Sequence, residues 1–120
     1  MKRKILIVDD EADILASLTT RLTSAGYEVS SAADGAEAVR LALEIRPDLI
    51  LMDIKLPLMD GIEACRRIKT ATVDNPIPVI FLTADASIRF THEKHPLSAD
   101  GYLIKPFLAE ALLGLLRAHL

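Results

Sequence analysis

The sequence predicts an α/β domain: one doubly wound, five-stranded parallel sheet flanked by five helices. Three observations carry that prediction. The runs Ile5-Leu6-Ile7-Val8, Leu49-Ile50-Leu51-Met52 and Val79-Ile80-Phe81-Leu82 are continuously apolar, as strands buried on both faces are and half-solvated antiparallel strands are not. Between the strand candidates lie segments with apolar residues at helical spacing, and such alternation with right-handed crossovers covers both faces of a parallel sheet. Each of the three runs is also followed by a polar residue, namely Asp9, Asp53 and Thr83. Ligands of such sheets bind at the carboxyl ends of the strands, near the point where strand order reverses.

The first strand spans Lys4 to Val8 and leads through Asp9, Asp10 and Glu11 into a helix marked by Ile14, Leu15, Leu18 and Leu22. Gly26 after Ala25 supplies its stop. Glu28 to Ala32 is a shorter, more polar strand centred on Val29, which suits a sheet edge. Asp34 with Glu37 three residues later has the form of a capping box, and Ala38, Val39, Ala42 and Leu43 supply one apolar helix face before Pro47 ends the segment. The strand 49–53 follows. Asp60 and Glu63 repeat the capping pattern ahead of a third helix, with Ile62, Cys65 and Ile68 expected inward and Arg66, Arg67 and Lys69 outward. Asn75, Pro76 and Pro78 close a polar loop before the strand that ends at Thr83. A fourth helix over 87–95 is expected to be short and the most mobile, because Ile88 and Phe90 miss helical spacing and Pro96 stops it. Tyr102, Leu103 and Ile104 form a last strand ending at Lys105-Pro106, and 108–120 is a Leu- and Ala-rich helix.

At 120 residues and 51% apolar content the chain is expected to form a single domain over 1–120 with one core. With 14 basic and 17 acidic residues its formal charge is −3, so no global positive field draws it to nucleic acid or an anionic membrane. One cysteine, Cys65, excludes an internal disulfide and reads as a small core residue. No run of eighteen or more apolar residues and no signal-peptide pattern is present, and a soluble, reducing, cytoplasmic setting is the expectation.

The predicted architecture gathers Asp9, Asp10, Asp53, Thr83 and Lys105 on one sheet edge. Three carboxylates so close repel one another and call for a proton or a cation. Oxygen ligands favour Mg²⁺, Mn²⁺ or Ca²⁺, and a few carboxylates plus waters is the usual way Mg²⁺ is held. Lys105 and Thr83 add a cation and a hydroxyl donor, which with the metal would clamp a phosphoryl group in transfer. A carboxylate in that clamp can act as the nucleophile, forming an acyl phosphate. Taken singly, Asp9, Asp10 or Glu11 would more simply complement a helix dipole and Asp53 would cap a turn; the matched set favours the site.

These residues resemble the response-regulator receiver domains of two-component signalling over nearly the whole chain. The resemblance rests on Asp9-Asp10 after the first strand, Asp53 with Pro57 and Gly61 after the third, Thr83-Ala84 after the fourth, and Tyr102 with Lys105-Pro106-Phe107 at the fifth. It implies a flavodoxin-like strand order of 2-1-3-4-5. It implies that Asp53 accepts a phosphoryl group from phosphohistidine on a sensor histidine kinase or histidine phosphotransfer protein. Mg²⁺, with Mn²⁺ as a substitute, would be held by Asp10, Asp53 and the backbone carbonyl of Lys55, and by Asp9 mainly through water. Lys105 would pair with the carboxylate and then the phosphoryl oxygens. Thr83 and Tyr102 would form the switch, reshaping a face made by the fourth helix, fifth strand and fifth helix for an output partner. The Lys105-Pro106 bond is expected to be cis. A receiver domain catalyses its own phosphorylation and dephosphorylation without being a conventional enzyme, and acts as a monomer or a phosphorylation-dependent dimer.

Lys55 and Asp85, two positions after Asp53 and Thr83, are expected to pair over the site and slow hydrolysis. Ser98 departs from the family's usual Gly before Ala99-Asp100. His92 and His95 have no further ligand nearby in sequence and read as solvated. Leu113 and Leu120 are candidates for an apolar docking patch. The nearest enzyme alternative is an aspartyl-nucleophile phosphatase of the haloacid-dehalogenase type, but Lys55 stands where that family has a second Asp. A flavodoxin-like FMN carrier would need a phosphate cradle in the first loop, where Asp9 and Asp10 would repel the anion.

Overall fold

Three strands of the sheet coincide to within one residue with the three apolar runs. The computed structural model describes residues 2–85 and 99–120. In chain order it contains β1 (Lys4–Val8), α1 (Ala12–Ser24), β2 (Glu28–Ala32), α2 (Gly35–Ile45), β3 (Leu49–Asp53), α3 (Gly61–Ala71), β4 (Val79–Thr83), β5 (Gly101–Ile104) and α4 (Ala109–His119). The helix expected over 87–95, with Pro96, Ser98, His92 and His95, lies outside the described residues. The five strands form one sheet in the order β2-β1-β3-β4-β5, with every neighbouring pair parallel. Strand order therefore reverses between β1 and β3, and β2, the polar strand, is an edge.

The two-sided burial read from the runs is explained by period-two alternation into separate cores. Leu6, Val8, Ile50, Met52, Val79 and Phe81 face one side and pack with Ala38 and Ala42 of α2 and Ala64, Cys65 and Ile68 of α3. Ile5, Ile7, Leu49, Leu51, Ile80 and Leu82 face the other and pack with Leu18 and Leu22 of α1 and Leu112 and Leu116 of α4. Both predicted capping boxes form on their N-cap side: Asp34 Oδ1 accepts from the Glu37 amide at 2.7 Å and Asp60 Oδ1 from the Glu63 amide at 2.9 Å. Gly26 takes φ 98° just past α1, as a helix-ending glycine does. Among the described residues no helix is long and apolar enough to cross a membrane.

Several side-chain expectations need correction. Ile62 does not face inward: it is 39% exposed, because α3 turns Gly61, Ala64, Cys65 and Ile68 to the sheet instead. Leu43 is likewise exposed. Lys69 is not a solvated residue like Arg66 and Arg67: its ammonium donates to Asp100 Oδ2 at 2.6 Å and to the Ile77 carbonyl at 2.7 Å, tying α3 to the approach of β4 and β5. Leu113 and Leu120 pack as partly buried residues against the α1/α4 core, so only part of each side chain reaches the surface. Arg66 and Arg67 do lie outward, both paired with Glu63. These bonds, with Arg66 the stronger, hold the Glu63 carboxyl down at about 2.

Candidate functional site

Register fixes the site before any side chain is considered. Val8 pairs with Met52, Met52 with Phe81 and Phe81 with Tyr102, so β1, β3, β4 and β5 end at one level. The backbone continues the ladder past the strands: the Asp9 amide donates to the Ala32 carbonyl at 3.2 Å and the Lys105 amide to the Thr83 carbonyl at 2.7 Å.

Three strand ends then use the same local device, a side-chain oxygen accepting the amide two residues on. Asp9 Oδ1 accepts from Glu11 at 2.9 Å, Asp53 Oδ1 from Lys55 at 3.2 Å and Thr83 Oγ1 from Asp85 at 3.1 Å. Each turn fixes one oxygen and leaves the rest of the group directed at its neighbours. The chain folds this way because Asp and Thr compete for backbone amides wherever a strand's ladder runs out.

The other carboxylate oxygens meet Lys105. Its Nζ lies 2.9 Å from Asp9 Oδ2 and 3.1 Å from Asp53 Oδ2, with the lysine side chain only 17% exposed. Burial by itself lowers the ammonium's pKa, but the bonds to Asp9 and Asp53 outweigh it and hold Lys105 above the usual lysine value. Asp9, Asp10 and Asp53 each offer an oxygen within 4.8 Å of the others. Asp9 is buried, Asp53 half-buried and Asp10 exposed. One ammonium against three carboxylates leaves the cluster acidic.

A cavity of about 300 Å³ opens above it, lined by Asp10, Glu11, Asp53, Lys55, Thr83, Ala84, Asp85 and Lys105. The sequence-predicted residues Asp9, Asp10, Asp53, Lys55, Thr83 and Lys105 thus converge. Tyr102 stands one strand further along, partly buried against the α2/α3 core. The donor set is all hard oxygen, and its uncompensated charge and mutual distances fit a small divalent cation. A larger groove of about 720 Å³ lies between α1 and α4; it contains no acidic cluster.

Sequence reasoning assigned Lys105 to Asp53 but missed its equal bond to Asp9. It also missed Leu58, which sits at φ 68° and 87% exposed in the loop after Asp53. The Met59 amide donates to the Pro57 carbonyl at 2.7 Å, making a tight three-residue turn about Leu58, a conformation rare for a branched side chain. The only hint of it was the prolyl turn at Pro57. The Lys105-Pro106 bond is cis, as expected.

Comparison with known proteins gives a consistent result. The family model described as "Response regulator receiver domain" matches residues 5–117. The transcriptional regulatory protein PrrA of Mycobacterium leprae is 42% identical over 117 residues, 98% of this chain and 49% of that protein. The chain therefore spans about half the length of the curated relatives it matches. Among solved structures, the chemotaxis response regulator CheY4 of Vibrio cholerae superposes with a TM-score of 0.90 at 36% identity, covering 100% of both chains. The receiver domain of the sensor histidine kinase PA1611 from Pseudomonas aeruginosa, solved with magnesium coordinated in its active-site cleft, gives 0.87 at 35% identity over 98% of this chain and 97% of that one.

Proposed function

Because this chain belongs to the response regulator receiver domain family of two-component systems, we propose that Asp53 accepts a phosphoryl group from phosphohistidine on a sensor histidine kinase or histidine phosphotransfer protein. The observation that supports this most is the acidic cluster bridged by Lys105 beneath an open cavity. An Asp53 carboxylate oxygen attacks phosphorus, the new P–O bond forms as the P–N bond breaks, and the donor imidazole leaves as the neutral ring after taking up a proton. Lys105 already sits at Asp53 Oδ2 and needs only a small shift to pair with the incoming phosphoryl oxygens. Thr83 Oγ1 accepts from the Asp85 amide, so its own proton is free to be donated to the phosphoryl group. Phosphorylation raises the charge at this edge and draws Thr83 inward, and Tyr102 on the adjoining strand carries the change to the face of β5 and α4.

Asp10, Asp53 and the Lys55 carbonyl would hold Mg²⁺, with Mn²⁺ as a substitute. Asp9 would act mainly through water, since it is buried and, unlike Asp10 and Asp53, does not line the cavity. When bound, the metal neutralises charge on the transferring phosphoryl group. Lys55 and Asp85, both lining the cavity, flank the acyl phosphate and slow its hydrolysis. The haloacid-dehalogenase alternative gains no support, because the basic Lys55 stands where its second acid is required.

PrrA is named a transcriptional regulator and is twice as long as the matched segment, whereas CheY4 is matched over its full chain. The receiver switch is therefore compatible with either a fused or a separate output. The test is incubation with acetyl phosphate and Mg²⁺, read by intact mass. The expected result is one phosphoryl adduct on the wild type and none on Asp53→Ala; no adduct on the wild type, or equal adducts on both, refutes the mechanism.

A further inference from the structure

We propose that Gly35, the first residue of α2, is a positioning residue for Asp53, acting through the loop that follows β3. The inference rests on the reading of Asp53 as the phosphoacceptor. Gly35 is buried, and a Cβ there would collide with the Met59 carbonyl oxygen while lying 2.8 Å from its carbon and 2.9 Å from its Cβ. The obstruction is mainly backbone, so it cannot be relieved by a side-chain rotation. Met59 belongs to the loop between Asp53 and α3, and that loop has little slack. The Met59 amide closes the turn about Leu58, and the Gly61 amide donates to the Ile54 carbonyl at 2.7 Å. At its far end, Gly61 presses so closely on Asp53 that an added Cβ would meet the Asp53 carbonyl oxygen and lie 2.9 Å from Ile54 Cα.

The first turn of α2 therefore abuts one side of a closed loop whose other side is the backbone of Asp53 and Ile54. Lys55, the next residue, supplies the amide that fixes Asp53 Oδ1. A methyl group at Gly35 must push Met59 away by roughly 1 Å, and a displacement of that size at reacting groups costs on the order of a hundredfold in rate. An interaction confined to α2 would do the opposite of harm, because Ala is the better helix former.

The experiment compares Gly35→Ala with Gly114→Ala, a control in α4 where a Cβ meets nothing within 4 Å. Phosphorylation of Gly35→Ala by acetyl phosphate is expected to slow by at least about tenfold with unchanged far-UV circular dichroism. Without metal or phosphodonor, its amide resonances at Ile54, Lys55 and Gly61 should shift and the Gly61 amide should exchange faster. Gly114→Ala should change none of these. A Gly35→Ala rate within about twofold of wild type, or shifts confined to α2, overturns the proposal. If Gly35→Ala does not fold, adding Leu58→Gly should restore folding by letting the loop yield, and failure of that pair to fold also overturns it. An absent wild-type adduct would defeat the phosphoacceptor reading alone, since the metal-free resonances still decide whether Gly35 and the loop are coupled.

Discussion

Asp10→Asn should make the metal-free protein more stable, although it removes a charged residue from the centre of the site. The oxygens of Asp9, Asp10 and Asp53 lie within 4.8 Å of one another, and Lys105 bridges Asp9 and Asp53. Among the described residues no ion pair reaches Asp10. Two unit charges 4.8 Å apart repel by about 3.5 kcal/mol at an effective dielectric constant near 20 and about 0.9 kcal/mol in bulk water. Asp10 is exposed, so the lower figure governs each of its two repulsions, and Lys105 offsets roughly one of them. The net gain expected for Asp10→Asn is about 1 kcal/mol, which for a chain of 120 residues raises the melting temperature by about 4 °C. Thermal and urea unfolding in a chelator would show this. In Mg²⁺ the order should reverse: a cation at 100 times its dissociation constant stabilises the wild type by about 2.7 kcal/mol, and the variant, lacking a ligand, should gain far less. Destabilisation of Asp10→Asn in chelator, or an equal response of both proteins to Mg²⁺, would refute the reading of the cluster as a mutually repelling cation site.

Lys105→Met removes the cation shared by Asp9, which is 1% exposed, and Asp53; stranding a buried carboxylate should cost about 3–5 kcal/mol by urea unfolding at pH 7, and an unchanged midpoint would count against it. The bonds that hold the Lys105 ammonium above its ordinary value of 10.5 give the wild type stability that is complete below that pH and is lost as pH rises through the raised value. That alkaline loss should be absent from Lys105→Met. Cys65 is buried, and that burial pushes its thiol up to about 11. A disulfide reagent at pH 8 should therefore label it only after unfolding, and rapid stoichiometric labelling of the native protein would show that α3 does not seal it.

What the sequence determined by itself was local. Continuous apolar runs located β1, β3 and β4, and the Asp34/Glu37 and Asp60/Glu63 pairs marked two helix starts through contacts only three residues apart. The same runs showed which polar residues follow the strands, and resemblance to receiver domains supplied their roles. Periodicity was weaker for orientation. Ile62 and Leu43 sit at plausible apolar positions yet are exposed, because the sheet reaches only part of each helix face.

Tertiary structure alone decided the contacts between distant parts of the chain. Lys105 reaches Asp9 across 96 positions because the order β2-β1-β3-β4-β5 and its register bring the strand ends to one level. Lys69 reaches Asp100, and Gly35 comes against Met59, through helix packing that no local pattern encodes. The physical division is one of range. Side-chain periodicity and capping report on neighbours within a turn or two, whereas pairing between carboxylates and an ammonium, or clearance between two backbones, exists only once the sheet has fixed which ends are adjacent.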